Sequence, residues 1–168
     1  MELFKMNCET YNHSESCLKT AVNLFHGEKP DPGSAYHIFE RNCLENGHER
    51  SCYASGIIRA TGLASHQPDF PGALVFFEKS CQSKFPAACF QAGLLHLQDS
   101  PELPRNLEKA AKFLEQACDL GHSRACYNLG IMHKNGDHYP QNEQKYLELL
   151  EKAEKNRQDF GPLIWGDF

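Results

Sequence analysis

The stretch ACDLGHSRACYNLG, residues 117–130, decides the fold. Its cysteines, Cys118 and Cys126, stand eight positions apart with Gly121 and His122 between them. Upstream, Leu107, Ala110, Ala111, Leu114, Ala117 and Cys118 recur at the i, i+3, i+4, i+7 spacing of one helical face. Asn106 is placed to cap that helix. Downstream, Tyr127, Gly130 and Ile131 continue a second helical run. A glycine between two such runs ends the first in a left-handed conformation. The stretch reads as the tip of a helical hairpin.

The same pattern recurs along the whole chain. Cysteines pair as Cys8/Cys17, Cys43/Cys52, Cys81/Cys89 and Cys118/Cys126, and successive pairs begin 35, 38 and 37 positions apart. A period in this range marks stacked helical hairpins. Four residues before each first cysteine stand Phe4, Phe39, Phe77 and Leu114; eight before stand Ala35, Ala73 and Ala110. Leu18, Tyr53, Phe90 and Tyr127 follow each second cysteine directly. Ala21, Gly56, Gly93 and Gly130 lie four beyond it, and Val22, Ile57, Leu94 and Ile131 continue the run. Glycine inside a helix costs about 1 kcal/mol against alanine, so three in register predict the close passage of a neighbouring helix. Asn12, Gly47 and Gly121 suit left-handed turns, and Phe85-Pro86 serves the third unit. Breaker-rich connections are expected over 27–33, 62–72, 99–106 and 135–142, with a last helix near 143–155. The expected fold class is all-α, an α/α solenoid: residues 1–157 form about four hairpins and a final helix, and residues 158–168 form a tail.

On one continuous helix, nine residues rise about 13.5 Å, whereas a disulfide needs Cα atoms roughly 4.4–6.8 Å apart. Bridging within each pair therefore requires a chain reversal, which the turn residues supply. Closing each loop stabilises by about 2.5 kcal/mol on chain-entropy grounds. Four bridges together reach on the order of 10 kcal/mol at most, comparable to the stability of a whole domain. The alternative is eight reduced cysteines used as small core residues. A zinc site finds no C-x-x-C spacing to support it.

The net charge of −5 argues against a broad basic face for nucleic acid. No run of 18 apolar residues exists to span a membrane. Met1 to Thr10 reads neither as a secretory signal nor as a mitochondrial presequence. Abundant paired cysteines nevertheless point to an oxidising compartment. Three resolutions are a truncated chain, free thiols in a reducing compartment, or an oxidising compartment entered without a leader.

Residues 117–130 closely resemble the Sel-1-like repeat in its cysteine-rich form, an α/α solenoid family related to tetratricopeptide repeats. The resemblance runs from Met1 to about Asn156. It has a secreted bacterial branch and a mitochondrial respiratory-chain assembly branch. Lys5-Met6-Asn7-Cys8-Glu9 with His13-Ser14-Glu15-Ser16-Cys17, and Gly161-Pro162-Leu163 before an aromatic and Gly166, are similar to the mitochondrial branch. The resemblance implies residence in the intermembrane space, entry through the disulfide import relay, and a role in assembling cytochrome c oxidase. Its implied partners are respiratory-complex subunits or other assembly factors. Against the family's pattern the sequence begins part-way through an expected first helix and lacks the N-terminal segment with its extra cysteines, as an isoform, a shortened homologue or a partial gene model would.

No catalytic, cofactor or metal site is expected. His13, His48 and His122 recur in the turns and read as helix-capping residues; no spaced ligand motif makes them metal or haem ligands. No G-x-S-x-G nucleophile elbow is present. Glu151 and Glu154 read as a solvated face. The expected function is a non-catalytic interaction scaffold whose surface holds another protein. The competing readings are a thiol-disulfide or haem-linked activity, a hydrolase of the kind proposed for bacterial relatives, or a secreted adaptor glycosylated at the Asn12-His13-Ser14 sequon. Phe160, Leu163, Ile164, Trp165 and Phe168 are expected to close the end of the array, the alternative being a docking peptide.

Overall fold

Pro32 and Pro71 mark where sequence punctuation and helix starts coincide. Each stands in the first turn of a helix, where the missing N–H costs nothing and the fixed φ suits the helix. Asp31 caps the first through Ser34 N at 3.0 Å, and Asp69 caps the other through Gly72 N at 2.8 Å. The breaker segments expected over 27–33 and 62–72 are therefore shorter than anticipated, because their last residues are helical.

The computed structural model describes residues 2–63 and 67–159. Its elements are α1 (Glu2–Tyr11), α2 (Ser14–His26), α3 (Pro32–Asn46), α4 (Glu49–Thr61), α5 (Phe70–Gln82), α6 (Pro86–Leu97), α7 (Leu107–Asp119), α8 (Ser123–Asn135) and α9 (Glu143–Asp159). No strand occurs among the described residues. The last helix runs four residues beyond the expected 155, and residues 160–168, which carry the expected end-closing aromatics, lie outside the described residues. Two compact units divide the chain, one ending at Ser83 and one beginning at Lys84. In the first, each of α1 to α4 packs on its successor; in the second, each of α6 to α8 does the same.

The turns follow the expected conformations at Asn12 (φ 47°), Gly47 (φ 63°) and Gly121 (φ 91°). The third unit differs. Pro86 opens α6, so the left-handed position falls on Lys84 (φ 61°) rather than on Phe85-Pro86. Pro cannot adopt positive φ, which moves the reversal upstream.

The in-register glycines have the anticipated cause. A Cβ on Gly56 of α4 would lie 2.5 Å from Cε1 of Phe77 on α5. On Gly93 of α6 it would lie 2.9 Å from Cγ of Leu114 on α7. On Gly130 of α8 it would meet Tyr146 at 3.3 Å and Leu149 at 3.4 Å, both on α9. Phe77 and Leu114, each four residues before a first cysteine, thus enter the notch left by the preceding hairpin's glycine. Phe39 is buried at the same position although the preceding hairpin carries Ala21 there, and each of these burials contributes about 1.5–3 kcal/mol. Phe4, the same position in α1, is 39% exposed. On the second helices the fully buried positions are Ile58, Leu95 and Met132, one residue beyond the expected run; Ile57, Leu94 and Ile131 are half-buried.

Candidate interaction surface

The hairpin tips carry the chemistry that the sequence singles out. Cys8 and Cys17 stand at disulfide distance with Cα atoms 4.6 Å apart, Cys43 and Cys52 at 4.7 Å, and Cys118 and Cys126 at 4.6 Å. Cys81 stands in the last turn of α5 and Cys89 in the first turn of α6. All of these cysteines are buried. Each of the three reversals measured places a helix C-terminus against the next N-terminus, as bridging demands.

His13, His48 and His122 are the N-caps of α2, α4 and α8. The Nδ1 of each accepts a backbone N–H three residues on, from Ser16, Ser51 and Ala125, all at 3.3 Å. An accepting Nδ1 must be unprotonated, which leaves the proton on Nε2. For His48 that Nε2 donates to Glu15 Oε1 at 3.2 Å, joining the first two hairpins. His122 stacks on Phe90 of α6, with ring centroids 4.3 Å apart. Burial, reinforced by Arg124, holds its pKa down at about 4. Burial also lowers His96 and His133. The His96 ring lies parallel to Phe113, with neither nitrogen hydrogen-bonded.

Two polar devices were not anticipated from the sequence. The first is the residue before a first cysteine. Asn42, fully buried, donates to Ser14 O at 3.0 Å and to Ser51 Oγ at 2.7 Å; Ser80 Oγ donates to Glu49 O at 2.8 Å. Ser14 and Glu49 are the first residues of α2 and α4, so the bonds to these two carbonyls each tie one hairpin to the tip of the previous one, while the bond to Ser51 closes its own hairpin. The signal was a polar residue in register on an otherwise apolar face. The second device is Arg59, which donates to Asp69 Oδ2 at 2.6 Å, to Tyr36 Oη at 2.6 Å and to Glu40 Oε1 at 3.2 Å. It links α3, α4 and the cap of α5. Burial and the Glu40 carboxylate push the Tyr36 hydroxyl up to about 12.

Among the described residues, no three of His, Cys, Asp or Glu gather as metal ligands, and no helix is long and apolar enough to cross a membrane. Glu151 and Glu154 are exposed, the latter paired with Arg157 at 2.8 Å. The first unit does hold an open groove of about 470 Å³. Leu18 and Val22 of α2 form its apolar part, and Glu15, Lys19, His26 and Arg50 flank it.

A helical-hairpin repeat protein with buried, paired cysteines at its turns is the class that this geometry defines. The sequence model of the Sel1 repeat matches residues 14–45, 86–122 and 123–156, more than half of the chain. The chain belongs to the Sel1 repeat family. It is similar to cytochrome c oxidase assembly factor 7 of Xenopus tropicalis, 33% identical over 158 residues, covering 90% of this chain and 68% of the relative. The human protein of that name is 30% identical over 110 residues, covering 61% of this chain and 48% of the relative. The mouse protein is also 30% identical over 110 residues. The chain spans about half the length of these mammalian relatives. Among solved structures, c5321, a protective antigen of uropathogenic Escherichia coli, aligns with a TM-score of 0.84 at 20% identity, over 93% of this chain and 33% of that one. A Sel1 repeat protein from Oxalobacter formigenes aligns at 0.76 and 14% identity, over 89% of this chain and 60% of that one. These likenesses define the fold, an α/α solenoid of Sel1-like hairpins.

Proposed function

We propose that the chain is a non-catalytic interaction scaffold that assists the assembly of mitochondrial respiratory complexes, chiefly cytochrome c oxidase, from the intermembrane space. The observation that carries this reading is similarity to an assembly factor of that complex over 90% of the chain. The buried cysteine pairs support the compartment. Disulfides persist where proteins are oxidised, and an oxidising import relay supplies both entry and cross-links. In this reading all eight cysteines are bridged within their hairpins, residues 1–157 form the repeat array and residues 158–168 form a tail. Its partners are subunits of the respiratory complexes or other assembly factors. Stacked hairpins offer an extended face suited to holding a folding partner.

The test is removal of the protein from its native cells, with native-gel separation of respiratory complexes. The expected result is a loss of assembled cytochrome c oxidase, restored by re-expression, with the chain protease-protected in intact mitochondria and digested once the outer membrane is ruptured. Normal complex levels, or a chain found outside mitochondria, would refute the proposal.

A further inference from the structure

α3, α5 and α7 meet the hairpin before them through shared positions, counted back from the first cysteine of each. Five before it, Ile38 packs on the core that holds Leu18 and Ala21, Phe76 packs on Cys43 and Cys52, and Phe113 stacks on His96. Four before it, Phe77 and Leu114 lie against Gly56 and Gly93. Two before it, Arg41 Nη2 donates to Cys8 Sγ at 3.3 Å. One before it, Asn42 donates to Ser14 O at 3.0 Å and Ser80 to Glu49 O at 2.8 Å, each the opening carbonyl of the preceding hairpin's second helix. In α1 these positions are Leu3, Phe4, Met6 and Asn7. Leu3 is 61% exposed, Phe4 39% and Met6 50%. Lys19 of the same hairpin lies over the Phe4 ring at 4.7 Å. The Asn7 side chain makes no hydrogen bond among the described residues. α1 thus carries one half of a hairpin–hairpin interface, apolar knobs and polar anchor in register, with no other half among the described residues.

We propose that this face of α1 docks a helical hairpin of a partner protein, one whose second helix sets a glycine or alanine against Phe4 and opens with a carbonyl that accepts from Asn7. Continuity with the interfaces inside the array selects this occupant, because the same register receives a helical hairpin at α3, α5 and α7. A second copy of this chain has no free notch to offer. Ala21 is fully buried, and Gly56, Gly93 and Gly130 are filled by Phe77, by Leu114 and by Tyr146 with Leu149. Docking removes Leu3, Phe4 and Met6 from water, a gain that grows with the apolar area covered, and gives the Asn7 amide an acceptor. The inference rests on the scaffold reading and names the kind of partner and the helix that holds it.

The test titrates the full oxidised chain with a fluorescent synthetic hairpin of residues 31–62, closed between Cys43 and Cys52, which presents the Gly56 notch and the Glu49 carbonyl. Anisotropy gives the affinity, and the carbon-13-labelled methionine methyls report the place. The expected result is saturable binding that shifts Met6 and leaves the buried Met132 unmoved. Binding weakens at least about tenfold when the hairpin carries Gly56→Leu or the chain carries Phe4→Ala, and about threefold for Asn7→Ala. Met6→Glu, on an exposed residue, carries the same arm should Phe4→Ala disturb folding, as judged by circular dichroism. No saturable binding, binding that leaves Met6 unmoved, or affinity that survives these variants overturns the inference. So does self-association of the chain through α1 in sedimentation, or native protein whose own residues ahead of Met1 cover the face. Such a failure is separable from failure of the scaffold reading, because Met6→Glu chains would then still restore cytochrome c oxidase assembly in cells lacking the protein.

Discussion

Gly56→Ala is the sharpest test of how the hairpins interlock. Alanine is the better helix former by about 1 kcal/mol, so on an unobstructed helix the change would stabilise. Here the new Cβ would sit 2.5 Å and 2.6 Å from two ring carbons of Phe77, where contact needs at least about 3.4 Å. Phe77 is 1% exposed and the ring cannot swing into solvent. Such overpacking costs about 1–3 kcal/mol. The balance is a net loss of up to about 2 kcal/mol, or a fall in Tm of several degrees for a chain of this size. Gly130→Ala meets its neighbours at 3.3–3.5 Å and keeps most of its propensity gain, so Tm should hold or rise by about 1–3 °C. Gly93→Ala, with Leu114 at 2.9 Å, should fall between. Thermal unfolding by circular dichroism ranks the three. Adding Phe77→Leu should recover part of the Gly56→Ala loss, a coupling that a double-mutant cycle isolates. If Gly56→Ala stabilises as much as Gly130→Ala, the knob-and-notch reasoning is wrong.

Stability should fall with acidification between about pH 6.5 and 4. Below pH 6.5 unfolded chains protonate their histidines, whereas folded His122 stays neutral down to about 4; the unfolded state then binds more protons, and the loss attributable to this group reaches about 3 kcal/mol at pH 4. His96 and His133 act in the same direction. His122→Asn, a capping residue that does not titrate there, should flatten part of that slope in urea unfolding measured at pH 4.5 and 7.5. Arg59→Lys should cost about 1–2 kcal/mol by the same assay, because an ammonium cannot serve Asp69, Tyr36 and Glu40 together; an unchanged midpoint would discount that network. Replacing Cys43 and Cys52 together by alanine should cost about 2.5 kcal/mol, and the reducing agent that lowers the wild-type Tm should shift this variant less.

Much of this architecture was legible because a repeat shows each constraint several times. The cysteine pairs, the left-handed Asn12, Gly47 and Gly121 and the glycine notches each appeared in register. Capping by His13, His48 and His122 was legible for the same reason. Pro32 and Pro71 misled the reading of the loops, because proline punctuates equally well just inside a helix and just outside it. Lys84 gave no warning of its positive φ; the proline two residues on forced it. Arg59 was invisible because its partners Tyr36, Glu40 and Asp69 are scattered in sequence and meet only when α3, α4 and the cap of α5 pack together.

The account depends most on covalent closure of each hairpin turn. Alkylation of protein taken from its native source without reductant, followed by proteolysis and mass spectrometry, measures this directly. The expected result is no alkylated cysteine and four cross-linked peptides joining Cys8 to Cys17, Cys43 to Cys52, Cys81 to Cys89 and Cys118 to Cys126. Eight alkylated thiols, or cross-links between hairpins, would contradict it.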